Sequence, residues 1–551
     1  MANMKNYDEV YRNFQLEVPE YFNWARDEFD RWGEDPHKLA LWVIDDFGSE
    51  TKLTFRQLSK LSCKLANVFK ANNILPGERI IVILGRRPAF WISMLATLRS
   101  GVVISPGSAQ LTAKDIQSRF AASGATAIIV DEETAEKVDA IAANCPTLKT
   151  KVLVGRREGW LSFDDELEKA CETYEAVNTR SDDNALIYFK SGTSGMPKMT
   201  VHTHASYGIG HRVTGKFWLD LTESDLHWNL TDTGWTKAAW SSFFGPWNCG
   251  ASVFVHDSAG KFDGKRTLGI LSKYPITTLS GPPTAYRLFV QENLKSYNFN
   301  TLRHCVAAGE PLNPEVVKLW KEGTGTMIYD GYGQTETVLL VANFPANHLK
   351  IGSMGKPSPG FYVAIIDLEG NQVEANQEGD IAVRVKPERP VGIFKEYYNE
   401  PERTAATLRG DWYITGDRGV CDEDGYITLV SRVDDAILSS AYRIEPFEVE
   451  SALIEHPAVA ESAVVASPDE VRGEIVKAFI VVAAGYEGSE ELTRELQDFV
   501  KELTSPYKYP REIEYVDSLP KTISGKIRRI ELKEMEKQRK LIKKFVESGA
   551  S

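Results

Sequence analysis

Arg79-Ile80-Ile81-Val82-Ile83-Leu84, followed by Ala89-Phe90-Trp91-Ile92-Ser93-Met94-Leu95-Ala96-Thr97-Leu98, is the stretch that decides the fold. The first run reads as a buried strand and the second as a helix. Outward from it, Ala127 to Val130 and Lys151 to Val154 are further short strand-like runs. Strands alternating with amphipathic helices predict an α/β fold with a largely parallel sheet. Neither internal repeats nor low-complexity segments interrupt the pattern.

With 551 residues the chain exceeds what one core usually serves, so two or more domains are expected. A hydrophobic share of 42% and a charged share of 26% are those of an ordinary globular protein. The net charge of −13 argues against a general nucleic-acid binder, so basic sites must be local. Met1 to Val10 has no apolar signal core, and no apolar run is long enough to span a bilayer. The six cysteines, Cys63, Cys145, Cys171, Cys249, Cys305 and Cys421, are scattered without a C-x-x-C pair. They read as buried, reduced, structural thiols of a cytoplasmic enzyme.

The best domain boundary lies near Val433. Before it, Asp424-Gly425-Tyr426 looks like a turn into a strand over Ile427 to Val430. After Asp434 and Asp435 a new pattern begins. Phe447 to Ile454 reads as a helix, Val459 to Ala466 and Val476 to Val482 as strands, and Leu492 to Leu503 as a helix. About 115 residues suffice for a small domain. The basic tail from Ile527 to Phe545 is expected to be a solvated helix.

Ala185 to Phe189 is strand-like and leads into Ser191-Gly192-Thr193-Ser194-Gly195-Met196-Pro197-Lys198. Glycines allow close backbone approach, successive N–H groups can form an anion nest, and hydroxyls with a lysine suit phosphate oxygens. The spacing is not that of the Walker loop. On these residues alone, a phosphate cradle and a flexible surface loop both stand.

The Ser191 to Lys198 segment resembles the signature loop of the adenylate-forming (AMP-binding) superfamily. Further motifs of that superfamily follow in order. Gly309-Glu310-Pro311 resembles the segment against the adenine, and Tyr329-Asp330-Gly331-Tyr332-Gly333-Gln334-Thr335-Glu336 the central motif. Tyr413-Ile414-Thr415-Gly416-Asp417 resembles the ribose motif and Ser431-Arg432-Val433-Asp434 the hinge. Pro520-Lys521-Thr522-Ile523-Ser524-Gly525-Lys526 resembles the C-terminal lysine loop. Tyr442-Arg443-Ile444 with Pro446-Phe447-Glu448-Val449-Glu450 looks most like the medium-chain acyl-CoA synthetases. The resemblance implies a large multi-subdomain N-terminal domain, 1–433, and a small mobile α+β C-terminal domain, 434–551, hinged at Asp434.

It also implies a reaction: ATP, a carboxylic acid and CoA give acyl-CoA, AMP and pyrophosphate through an acyl-adenylate. The first half-reaction needs no enzyme nucleophile, only positioning and charge stabilisation. By resemblance, Ser191, Gly192, Thr193, Ser194, Gly195 and Lys198 hold the leaving phosphates. Gly309, Glu310 and Pro311, with Asp330, Gly331, Gly333 and Gln334, frame the nucleotide, and Tyr332 stacks on adenine. Thr335 bonds the α-phosphate and Glu336 holds Mg²⁺, an ion that favours few carboxylates plus phosphates and water. Asp417 accepts the ribose hydroxyls, as a carboxylate suits paired donors, with Arg432 beside it. Lys526 bridges the attacking carboxylate and the α-phosphate, a task for a compact cation. Arg443 serves the thioester-forming state. Rotation about Asp434 exchanges Lys526 for the Ser440 to Arg443 strand, and CoA enters along Gln110, Ser440, Ala441, Tyr442 and Arg472.

Acetate-specific relatives carry a tryptophan immediately before the Gln-Thr-Glu triplet. Gly333 stands there in this chain, so a short-to-medium or branched acid larger than acetate is expected to fit. Trp218, Trp235, Thr236, Lys237 and Trp240 are the other lining candidates. Aromatic acids come second, because tryptophans could frame a flat ring. Three positions depart from the family pattern: Lys190, usually Thr or Ser; Ala441, usually Gly; and Glu445, usually Gly in this branch. Rival readings are an adenylating enzyme that loads a carrier protein and a silent ATP-binding protein. The partners implied are a small carboxylic acid, ATP and CoA, with no nucleic acid and no membrane span. A homo-oligomer is left open.

Overall fold

The computed structural model describes residues 2–190, 198–258, 260, 262–432, 437–439, 442–444, 446–469, 472–504, 507–521 and 527–548. The stretch that opens the sequence reading forms strand Arg79–Ile83 and helix Pro88–Ser100. Pro88 sits in the first helical turn, where its missing N–H costs nothing, and Gly101 ends the helix at φ +68°. Every residue from Ala89 to Ser100 is buried. The helix is therefore a core element without a polar face. Its one charge, Arg99, donates to both Asp30 oxygens at 2.7 and 2.8 Å and to Ser62 at 2.9 Å.

Strand Arg79–Ile83 lies in an eight-stranded sheet. Its order runs Glu396–Tyr397, Lys198–Thr203, Asn184–Lys190, Val103–Gly107, Arg79–Ile83, Ala127–Asp131, Thr150–Val154, Leu161–Ser162. Pairing is parallel from Asn184–Lys190 to the far edge and antiparallel around Lys198–Thr203. A nine-stranded sheet has a parallel centre of Ile328–Tyr332, His304–Ala308, Thr278–Gly281, Leu226–Asn229, Ser252–Asp257 and Leu39–Asp45. Its aromatic core includes Trp228, Phe254, Tyr286, Phe289 and Trp320. A five-stranded sheet holds Val363–Ile366, Glu378–Arg384, Leu408–Arg409, Trp412–Cys421 and Ile427–Arg432. The expected α/β class with parallel sheet is what the protein has.

The chain divides into two compact units. One contains Met1–Leu312, Val316–Val363 and Val383–Tyr413, and the other Asn313–Glu315, Ala364–Ala382 and Ile414–Ser551. In the second, strands Gly473–Val482 and Val459–Asp469 pair along their length. Helices Pro446–Ile454 and Glu490–Leu503 supply Val449, Leu453, Leu496 and Val500 to one core with Val476 and Ile480. The tail helix Arg529–Ser548 is more than a solvated face. Leu532 is buried in a cluster with Phe479 and Leu519. Glu536 is buried as well, accepting from Lys477 Nζ at 2.7 Å and Ser467 Oγ at 2.8 Å. The cysteine expectation also needs correction. Cys63, Cys145 and Cys305 are buried, but Cys171 is exposed and Cys249 and Cys421 are half-buried. No helix among the described residues is long and apolar enough to cross a membrane.

Candidate active site

Strand Ile328–Tyr332 runs out into a tight return. Gln334 N donates to Thr337 Oγ1 at 2.9 Å and Thr337 N to Gln334 O at 3.2 Å. The return folds Glu336 inward, leaving its side chain 2% exposed. Lys190 Nζ donates to both carboxylate oxygens at 2.9 Å, and Tyr397 OH donates to Oε1 at 2.8 Å. Burial pushes the Glu336 pKa up, but Lys190 and Tyr397 outweigh it and hold the carboxyl below its usual range. The Thr335 carbonyl accepts from His202 Nε2 at 2.7 Å and from Tyr207 OH at 3.4 Å. Because a carbonyl only accepts, His202 carries its proton on Nε2. Burial drives its pKa down to about 3, so the ring is neutral.

Lys198 opens the strand that pairs with Asn184–Lys190, and it lies directly opposite Lys190 in the register. Its ammonium stands 5.2 Å from the centre of the Tyr397 ring. Burial and the Lys190 charge both lower its pKa, with Glu336 opposing. Two ammonium groups therefore face one carboxylate, an excess of positive charge suited to an anion.

Of the acyl candidates, Trp218, Trp240 and Gly333 meet at strand Ile328–Tyr332 and the return after it. Trp218 is fully enclosed, with Nε1 donating to Tyr329 O at 3.3 Å. A Cβ on Gly331 would meet its indole at 2.6 Å. Trp218 thus packs behind the strand and offers no open wall. A Cβ on Gly333 would stand less than 3.0 Å from both the Trp240 ring and Val338 O. The room beside Gly333 is filled by Trp240, so this glycine by itself does not open an indole-sized space. Trp235 and Thr236 are half-buried, and Trp235 Nε1 has no hydrogen-bond partner. Lys237 Nζ donates to Gly281 O at 2.8 Å and Ala308 O at 3.0 Å, the last residues of two neighbouring parallel strands. Burial lowers its pKa to about 7, against the pull of Glu310 and Asp330. Burial raises Asp330 to about 8, against Gly331 N–H and Lys237. Gly234 packs backbone to backbone on Gly107 and Ser108. That brings the Trp235 turn against the loop of Gln110, an exposed residue.

Glu310 accepts from Thr284 Oγ1 at 2.8 Å and Arg287 Nη2 at 3.0 Å, while Gly309, at φ +102°, and half-buried Pro311 flank it. Tyr332 is half-buried, and Gln334 Oε1 accepts from Tyr413 OH at 3.0 Å. In the second unit, Asp417 is buried, with its N–H donating to Thr415 Oγ1 at 3.2 Å. Its backbone pairs with that of Arg432. Arg472 N donates to Asp469 Oδ1 at 2.8 Å. Tyr442 and Arg443 lie on strand Tyr442–Ile444, paired with Ser439 and Leu438. Ser191, Gly192, Thr193, Ser194, Gly195, Asp434, Ser440, Ala441, Glu445 and Lys526 lie outside the described residues, as do the side chains of Arg432, Tyr442 and Arg443.

Sequence reasoning missed Tyr397, His202 and Tyr207, the groups that hold Glu336 and Thr335. Tyr397 is 61 residues from Glu336 and belongs to a two-residue edge strand. No local pattern could have singled it out.

Comparison with known proteins agrees with these elements. Residues 29–398 match the AMP-binding enzyme family and 448–526 the AMP-binding enzyme C-terminal domain. Mouse mitochondrial acyl-coenzyme A synthetase ACSM3 is 51% identical over 545 residues, covering 97% of this chain and 94% of that protein. Human mitochondrial acyl-coenzyme A synthetase ACSM4 is 52% identical over 530 residues, covering 94% and 91%. Among solved structures, the anthranilate CoA ligase AuaEII with anthranoyl-AMP aligns at TM-score 0.87 and 30% identity, covering 95% of this chain and 99% of that one. An acyl-CoA synthetase from Brucella canis aligns at TM-score 0.76 and 32% identity, covering 97% and 99%.

The mitochondrial relatives overturn the cytoplasmic expectation. That expectation rested on a missing apolar signal core and on scattered cysteines without a disulfide framework, which speak only against secretion. Mitochondrial addresses are amphipathic and basic rather than apolar, so the argument had no bearing on them. The matched family models and the full-length relatives lead to one conclusion: the chain belongs to the AMP-binding enzymes, in their acyl-coenzyme A synthetase branch.

Proposed function

We propose that the protein activates a short-to-medium or branched carboxylic acid larger than acetate as its acyl-adenylate and transfers the acyl group to CoA. The observation that carries the adenylating chemistry is the buried Glu336 carboxylate beside Lys190 and Lys198, with Thr335 fixed next to it, while the size of the acid rests on the motif resemblance. Lys198 would attract the leaving phosphates, and Thr335 would bond the α-phosphate. His202 and Tyr207 hold the Thr335 backbone, so the hydroxyl keeps its place while charge shifts. Asp417 would accept the ribose hydroxyls, and Gly309 to Pro311 would border the adenine. Glu336 is an oxygen donor of the kind Mg²⁺ takes, one carboxylate among phosphates and water, and fits the ion once Lys190 moves off its oxygens. Bound there, Mg²⁺ would neutralise charge on the departing phosphates.

The roles of Lys526, Asp434, Ser440, Ala441, Tyr442, Arg443 and Arg472 rest on the motif resemblance. Lys526 would serve adenylation. Rotation of a C-terminal domain beginning at Asp434 would then present the Ser440–Arg443 segment for thioester formation, with Gln110 and Arg472 toward CoA. Trp235, Thr236, Lys237 and Trp240 would bound the acyl group.

Release of pyrophosphate and AMP with a panel of acids, with and without CoA, tests the reading. Adenylation without CoA and AMP release only with CoA supports it. Acyl transfer to a carrier protein but not to CoA would overturn it. An aromatic acid is the second reading, favoured by the structural likeness to an anthranilate CoA ligase, and the same panel decides between them.

A further inference from the structure

Glu336 is the acid assigned to Mg²⁺ above, yet an ammonium already rests on both its oxygens. We propose that Lys190 is an exchangeable internal cation, neutralising Glu336 while the nucleotide site is empty and yielding the carboxylate to metal-bound ATP. The proposal rests on the adenylating function just described.

A carboxylate this enclosed is costly to leave unpaired, and a neutral donor such as Tyr397 cannot replace a charge. Lys190 supplies that charge from a side chain 29% exposed, on a flexible stem with an outlet toward solvent. It is the last residue of strand Asn184–Lys190 and pairs in register with Lys198. Like charges on directly opposed residues repel unless an anion lies between them. Glu336 offsets that repulsion in this structure, bonded to Lys190 and attracting Lys198 through its charge, and phosphate oxygens can take over that role. A metal held by a Glu336 oxygen would meet the Lys190 ammonium, bonded to the same carboxylate, as a like charge. Metal ligation and the Lys190 pair are therefore alternatives, and an ammonium released from Glu336 is free to face phosphate. A threonine or serine at position 190 offers no such exchange. This chain should accordingly bind nucleotide with less dependence on metal than its Lys190→Thr variant.

The test uses full-length protein without acid or CoA. Binding of α,β-methylene-ATP, which cannot be adenylated, is measured by calorimetry in excess Mg²⁺ and in EDTA. Manganese binding to nucleotide-free protein is followed by electron paramagnetic resonance. Wild type should bind the nucleotide in EDTA within roughly tenfold of its affinity in Mg²⁺, whereas Lys190→Thr should lose roughly tenfold or more in EDTA only. Lys190→Arg, which keeps the charge, should behave as wild type. Equal metal dependence in wild type and Lys190→Thr overturns the proposal. Should Lys190→Thr fail to fold, wild type decides: a Mn²⁺ ion bound without nucleotide and lost in Glu336→Gln overturns it, and no such ion upholds it. No nucleotide binding under either condition would sink the adenylating function itself.

Discussion

Trp240 and Gly333 share one volume: the indole of the first lies where any side chain on the second would have to go. Gly333→Ala should therefore destabilise the protein by about 1–3 kcal/mol through overpacking, because Val338 O is backbone and cannot swing aside. Gly333→Trp should unfold or displace the return before Glu336 rather than retune the acid. Thermal unfolding of both variants checks this. A folded Gly333→Trp enzyme that merely prefers acetate would contradict it.

If Trp240 closes the acyl side, shortening it should open room. Trp240→Leu should move preference toward larger acids, at about 2–4 kcal/mol of stability for the cavity left behind. Competition between a short and a longer acid in one reaction reads the shift. An unchanged ratio would separate Trp240 from acid recognition.

Lys237 and Asp330 tie stability to pH in opposite senses. Asp330, raised to about 8, holds a proton that the unfolded chain has released above the usual carboxylate range. Its contribution is present at acid pH and is lost as pH climbs toward 8. Lys237, lowered to about 7, is deprotonated when folded while the unfolded chain still binds a proton. Its burial therefore costs less as pH rises above 7. Asp330→Asn should flatten the fall in stability between pH 5 and pH 7, by up to about 1.4 kcal/mol per unit. Lys237→Met should gain on wild type at pH 6 and lose ground at pH 9. Denaturant midpoints at these pH values measure both effects.

Lys526→Ala should nearly abolish acyl-adenylate formation, a loss of about 2–4 kcal/mol in transition-state stabilisation. Thioester formation from pre-made acyl-adenylate should be spared. Equal losses in both half-reactions would refute the alternating-domain proposal.

Ala441→Leu should leave pyrophosphate exchange intact and depress CoA-dependent turnover if residue 441 borders pantetheine as the motif resemblance implies, since overpacking a tight channel costs about 1–3 kcal/mol. Ala441→Gly should do the reverse. Normal thioester formation by the leucine variant would put residue 441 in a wide part of the channel.

What the sequence made legible was whatever is local. Strand Arg79–Ile83 and helix Pro88–Ser100 follow from continuous apolar runs, and the C-terminal strands and helices from their own periodicity. Their ends shifted where pairing extended them, as when Val476–Val482 became Gly473–Val482. The motifs marked Glu336 and Thr335, but Tyr397, His202 and Tyr207 reach them from distant strands and helices. Lys190 was visible as a departure, yet its partner was not, because only the fold brings residues 190 and 336 together. The tail looked solvated because its basic residues outnumber the few that dock, Leu532 and Glu536 among them.

The seating of Gly234 on Gly107 and Ser108 leaves no space for even a methyl group between two loops. One carries Trp235 to Lys237 and the other leads to Gln110. Such loops behave as a riveted joint: an insertion, deletion or graft in one has to be matched in the other. An engineer who transplants the Trp235 turn, the proposed boundary of the acyl group, from a relative while keeping the native neighbour should obtain insoluble protein. Exchanging both loops together should preserve the joint, so a change of acid preference made at this turn is expected to need paired replacement rather than single steps.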